Sequence, residues 1–303
     1  MSDKSKSISR TSRRKTLITI SLILVVVLLV FSLFVYMFVV VDSDFVRVKN
    51  DSGLRDAVNN AEVSVPTAII LTRDVSLSNS RSSLVIPAGA NITLTSDGED
   101  GFFKLIGTNR NCVILVQSGG WLTIDGIIVT HEVGATGNGI FVESGGTLVM
   151  VDGEISGNTA YSGDFGGGVF NDGTFKMLGG SITDNTAGSG GGVGSNGDFS
   201  MLGGVISGNT ASRIDIGGGG VYFTHSFVMS GGEISGNTAV SGGGVLVSLG
   251  SFVMSGGVIS NNCAQTGYGG GVYNFYGSFD SSGGVISGNT ATVGDDVYQK
   301  TIE

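Results

Sequence analysis

The chain is poor in the side chains that most often carry chemistry, with 2 histidines, 2 cysteines and 1 tryptophan in 303 residues. His131 and His225 lie far apart, and no Cys/His cluster has the spacing of a metal site. No metal ion and no cofactor is therefore expected. Proline is nearly absent as well, with only Pro66 and Pro87, so turns must be made by Gly and Asn. Positive charge is scarce beyond the N-terminus: 6 of the 16 Lys and Arg lie within Met1–Lys15, leaving 10 against 24 Asp and Glu. A nucleic-acid-binding surface needs a basic footprint, and the region beyond this basic tail has none. The glycine-rich runs are not followed by Lys-Ser or Lys-Thr, which excludes a phosphate loop. They also lack the aspartate of the calcium-binding nonapeptide. Leucine and alanine are too sparse in the second half for a helical solenoid, and no stretch there has room for a helix of ten residues.

What the chain does have is 53 glycines and a repeat. From about Gly153 onward a unit of 24 to 28 residues recurs, stated most clearly as Gly231-Gly232-Glu233-Ile234-Ser235-Gly236-Asn237-Thr238-Ala239, then Gly242-Gly243-Gly244-Val245, then Ser251-Phe252-Val253-Met254. Ile155, Ile182, Ile206, Ile234, Ile259 and Ile286 keep step with Asn158, Asn185, Asn209, Asn237, Asn262 and Asn289. A valine after the glycines and a phenylalanine before a methionine recur in the same rhythm. Repeats of this length signal a solenoid or a propeller. Three short apolar runs between glycine turns describe one coil of a parallel β-helix, whose inner face is buried only when coils stack about 4.8 Å apart. Asn suits a left-handed corner and can also bond the same amide in the next coil.

Weaker copies extend upstream, as in Val116-Gln117-Ser118-Gly119-Gly120 against Val142-Glu143-Ser144-Gly145-Gly146. Leu84–Ile86 and Ile92–Leu94 have the pattern of strands of a first coil. The expectation is an all-β parallel β-helix of roughly eight coils over 63–303, about 40 Å long at the strand spacing. Leu54, Ala57, Val58 and Ala61 fall at helical spacing, so a short amphipathic helix with Asp51 or Ser52 as N-cap would close the first coil, within a linker and capping segment over 42–62. At the other end, Gly294-Asp295-Asp296-Val297 replaces Gly-Gly-Gly-Val, and its charges would discourage docking of a further strand. Cys112 and Cys263 fall about six coils apart, or roughly 29 Å, too far for a disulfide, which needs Cα atoms within about 7 Å. Cys263 occupies the threonine slot of the corner.

The N-terminal segment implies a compartment. Residues 1–15 form a basic tail, and Thr16–Val41 holds 26 residues without a charge. A bilayer span needs about 20, and no small-residue cleavage site follows. The expectation is a single-pass signal anchor, with the basic N-terminus cytoplasmic and the repeats outside the cell. Asn50-Asp51-Ser52 and Asn91-Ile92-Thr93 have the form of glycosylation acceptors.

Two sets of residues are candidate sites. Asp164 and Asp215, with Arg213 beside the latter, sit in the two longest corners, two coils or about 9.6 Å apart, near the upper limit for an inverting carboxylate pair. The second set follows the core valine: Phe141, Phe170, Gly194, Tyr222, Leu246, Tyr273 and Tyr298. If the valine points in, these point out and form an aromatic stripe suited to sugar rings or a protein partner. Rows of corner hydroxyls such as Thr159, Thr186, Thr210, Thr238 and Thr290 add a weaker option, ice binding.

The pairing of Gly-Gly-Gly-Val (Gly166–Val169) with Ile-Ser-Gly-Asn (Ile155–Asn158) resembles the repeats of the polymorphic outer membrane proteins and of adhesin-like, pectate-lyase-like β-helix proteins. Leu54–Val58 and Ile86-Pro87-Ala88-Gly89 are similar to the segment that opens such helices. The resemblance covers roughly residues 46–303. It implies a right-handed coil and a surface protein of adhesin-like binding or scaffolding role, the alternative being a polysaccharide lyase or glycoside hydrolase. The chain departs from the family in two respects: no membrane barrel is recognisable after the repeats, nor is the Asp cluster with neighbouring Lys or Arg of the lyases.

Overall fold

Alternation of one inward and one outward side chain, repeated every coil, folds the chain into a parallel β-solenoid of about nine turns. The structure is a computed structural model and describes residues 45–78, 83–98, 101–213 and 217–300. One sheet of nine strands holds the segments that follow the glycines, from Leu84–Ile86 to Val297–Gln299. A second sheet of fifteen strands holds both the Phe-x-Met and the Ile-Ser segments, because in several coils these form one continuous strand, as in Ser251–Ser260. A third sheet of four strands holds the Thr-Ala segments. The roughly eight coils expected become about nine because the first turn begins earlier than the repeat reveals. Strand β1 (Phe45–Val48) pairs in parallel with β2 (Pro66–Leu71), so 45–48 is sheet and not linker. Leu84–Ile86 therefore belongs to the second turn.

Each core position lands on its own copy. Ile206 registers with Ile234 and Ile234 with Ile259. Phe175, Phe199, Phe227 and Phe252 stack with ring centroids 4.9, 4.6 and 4.6 Å apart. Every one of these rings is buried, and burying each contributes about 1.5–3 kcal/mol relative to exposure. Lys176 and Val228 occupy the exposed middle position of the Phe-x-Met strands and Asp280 the same position of Phe279-Asp280-Ser281, as the alternation requires.

The asparagines form a buried ladder. The backbone N and Nδ2 of Asn237 both donate to Oδ1 of Asn262, at 3.0 and 2.9 Å, and Nδ2 also donates to the carbonyl of Ile206. Asn185, Asn209 and Asn262 repeat this pattern. The left-handed corner belongs to the residue before: Gly157, Asp184, Gly208, Gly236, Asn261 and Gly288 have φ between 55° and 70°. The ladder needs the glycine run opposite it. A Cβ on Gly168 would stand 3.0 Å from Asn185 Nδ2 and 2.8 Å from the carbonyl oxygen of Gly192 in the next coil. At its start, His131 Nδ1 donates to Asn158 Oδ1 (2.8 Å), and Nε2 lies 2.9 Å from the Asn111 carbonyl. This histidine is buried, not a surface residue.

The ends are closed differently. Helix α1 (Asp51–Asn59) buries Leu54, Ala57 and Val58 over the first turn. Its N-cap is Asn50, whose Oδ1 accepts from Gly53 N at 2.9 Å, and not Asp51 or Ser52. Asp51 instead pairs with Arg55 and accepts from Ser78. At the other end, Asp296 Oδ1 accepts from N and Nδ2 of Asn289, the place held in earlier coils by the next asparagine. Asp295 accepts from Ala291 N. Among the described residues no helix is long and apolar enough to cross a membrane, and Thr16–Val41 lies outside the described residues.

Candidate functional site

The outward residues of the nine-stranded sheet form a second apolar row that the core does not use. Register carries the row from Val85 through Leu115, Phe141, Phe170, Gly194, Tyr222, Leu246 and Tyr273 to Tyr298. The stripe inferred from sequence is present and starts two coils earlier than Phe141. Much of it is covered: Tyr222 and Tyr273 are each 6 % exposed and Leu246 1 %, buried in a separate outer cluster with Phe165, Phe275 and Tyr298.

Gly194 is the gap in this row, and the structure fills it from another part of the chain. Phe165 comes in from the long corner at 161–165 and stacks 6.1 Å from Phe170 and 5.1 Å from Tyr222. A Cβ on Gly194 would lie 2.9 Å from Phe165 Cβ and 2.5 Å from Gly166 N, so only glycine leaves room. With Phe141 stacked on Phe170 at 5.0 Å, four rings form a continuous pile. At the far end Tyr268 stacks on Tyr298 at 4.6 Å, while Lys300 lies over Phe275 and donates to the Tyr276 hydroxyl at 2.8 Å. Burial and the neighbouring tyrosines push Tyr273 up to about 12. Tyr268 and Tyr276 remain exposed.

The carboxylate candidates fare differently. Asp164 is exposed at the tip of the corner that delivers Phe165, and its backbone makes turn bonds to Tyr161 and Ser189. Arg213 is half-exposed, and Asp215 lies outside the described residues, as does any pairing of the two carboxylates. Among the described residues no three His, Cys, Asp or Glu side chains are grouped to hold a metal ion. The threonine row is in register, with Cys263 between Thr238 and Thr290. Both cysteines are free thiols.

Two hollows escape the sequence pattern, because each is assembled from residues a coil or more apart. One is polar, about 280 Å³, at the corner between the large sheets, and Asp172, Asn196, Asp198 and His225 line it. His225 Nε2 is 3.7 Å from Asp198, and Asn196 Nδ2 donates to Asp172 at 3.0 Å. The other, about 410 Å³, lies over the start of the apolar row, with Val85, Leu115 and Phe141 as its floor. Ser83, Cys112 and Asn138 stand along one side and Glu143 along the other. The Ser83 hydroxyl is 3.1 Å from Cys112 Sγ, and burial raises that thiol's pKa.

Comparison of the chain with protein-family models, with curated proteins and with solved structures finds no match.

Proposed function

We propose that this chain is a non-catalytic, adhesin-like surface protein that binds a glycan along the outer face of its nine-stranded sheet. One observation carries the reading. The solenoid's core is complete without the row from Val85 to Tyr298, yet the chain keeps that row apolar and repairs it with Phe165 where a glycine interrupts it. The rings of this face that stay exposed, Tyr268 and Tyr276, offer an apolar contact surface, and the buried rings of the row support them. The right-handed coil, the anchoring of the protein by Thr16–Val41 and the display of the repeats outside the cell belong to the same proposal, as does recognition of a surface protein as the alternative partner. The test screens the full chain on a glycan array and assays the same polymers for cleavage. Retention without turnover, weakened when exposed Tyr268 and Tyr276 are both changed to Ala, is the expected result; no retention on any glycan would refute glycan binding.

A second reading, a carbohydrate-active enzyme, draws on the polar hollow, where two carboxylates and an imidazole share one wall. Turnover of a polymer, abolished by Asp198→Asn, would replace the first reading with this one.

A further inference from the structure

The hollow over Leu115 and Val85 is where the outer pile of rings stops short. From Phe141 to Tyr222 the row is built of aromatic rings 5 to 6 Å apart. In the two coils before, the same register positions hold Leu115 and Val85, which are branched and shorter. Phe170 covers one face of the Phe141 ring, and the opposite side of that ring borders the hollow. The space, about 410 Å³, is at the lower end of the range of about 300–1,000 Å³ typical of small-molecule sites.

Two of the hollow's polar lining residues, Glu143 and Asn138, offer acceptors. Glu143 presents a carboxylate, of which Oε2 accepts only a long bond from Ser118 N (3.3 Å). Asn138 donates its amide nitrogen to the carbonyls of Phe165 and Gly166, which leaves its oxygen as the atom able to meet a ligand. Among the described residues no Lys, Arg or His lines the space. An anionic ligand such as a uronate or a phosphate would find no counter-charge among the described residues that line it. The floor asks for a flat apolar face and the rim for hydrogen-bond donors around its edge. A pyranose ring has that distribution, with hydroxyl donors all round its edge, whereas an unsubstituted aromatic ring carries none.

We infer that this hollow binds one neutral pyranose residue, stacked on Phe141 over Leu115 and Val85, with hydroxyls donating to Glu143 and Asn138. This rests on the reading of the protein as a glycan-binding surface rod and places a subsite within it.

Cys112 supplies the assay, since its thiol lines the same space. The full chain is alkylated with iodoacetamide in the presence of methyl glycosides of glucose, galactose and mannose, each separately, with Cys263 as internal control. A glycoside bound with a Kd of about 1 mM and supplied at about 10 mM should slow Cys112 alkylation about tenfold and leave Cys263 unaffected. Leu115→Phe, which extends the ring pile into the hollow, should abolish the ligand-dependent slowing. Glu143→Gln should weaken binding by about tenfold. The proposal is overturned if none of the three glycosides protects Cys112, if protection survives Leu115→Phe, or if benzylamine protects where the glycosides do not. Failure here combined with array retention that Tyr268→Ala and Tyr276→Ala weaken would remove the subsite and leave the surface reading standing. Absence of both would remove the two together.

Discussion

Asn237 has no exposed surface, yet its amide is fully engaged: two donors serve Asn262 and Ile206, and its oxygen serves Asn209. A carboxamide supplies two N–H donors and an acceptor oxygen on one short side chain, which is the set this position uses. Replacing Asn237 by Ala strands buried donors and acceptors and should cost about 1–3 kcal/mol. Asn237→Asp should cost more, about 3–5 kcal/mol, because it buries an uncompensated charge facing two oxygens. Urea unfolding of the two variants gives the order, and an Asp variant as stable as Ala would contradict the ladder. Tyr273 gives a second expectation at this scale. Its phenol is pushed up from 10.0 to about 12 by burial and neighbouring tyrosines, so the folded chain holds this proton more tightly than the unfolded chain. The stability it contributes is complete below about pH 10 and is lost as the pH rises from there through about 12. Absorbance titration of the tyrosines should show one phenol ionising near the top of that window, and its loss in Tyr273→Phe checks the assignment.

At the scale of elements, the long corner 161–165 is a ring-delivering loop. Gly194→Ala would place a Cβ 2.5 Å from Gly166 N and displace Phe165, so a loss of about 1–3 kcal/mol is expected from overpacking. Phe165→Ala should open the pile between Phe170 and Tyr222 while leaving the core intact, visible as increased dye binding without loss of β-sheet circular dichroism. The role of Phe165 is not legible in the sequence, since its contact depends on how a non-repeating corner folds back. The repeating elements are legible for the converse reason: Ile, Asn, Val and Phe keep one register through every coil, and stacking leaves each a single place. Strand β1 escapes notice because four residues, Phe45–Val48, carry too little alternation to be told from linker. The N-cap at Asn50 lies one or two residues before the expected one, since Asp51 and Ser52 are equally good caps by type and only the bond to Gly53 decides. Both hollows are invisible in the sequence because their walls come from different coils.

Over the whole molecule, the solenoid is closed by α1 at its first turn and by aspartates at its last described one. Asp296 occupies the acceptor position that a further asparagine would supply, and Asp295 stands where earlier coils need glycine. Asp296→Ala should leave two donors of Asn289 unmet and speed amide exchange in the last coil by about tenfold or more, with the middle coils unchanged. The central claim is that the nine-stranded face does the binding. The most direct measurement replaces Cys112 and Cys263 by Ser and places one cysteine on each sheet in turn, as Tyr298→Cys, Ser200→Cys or Thr210→Cys. Alkylation is then timed while the full chain sits on the immobilised glycan it retains most strongly. The account predicts protection at 298 with unchanged rates at 200 and 210, whereas protection at 200 or 210 with none at 298 would contradict it.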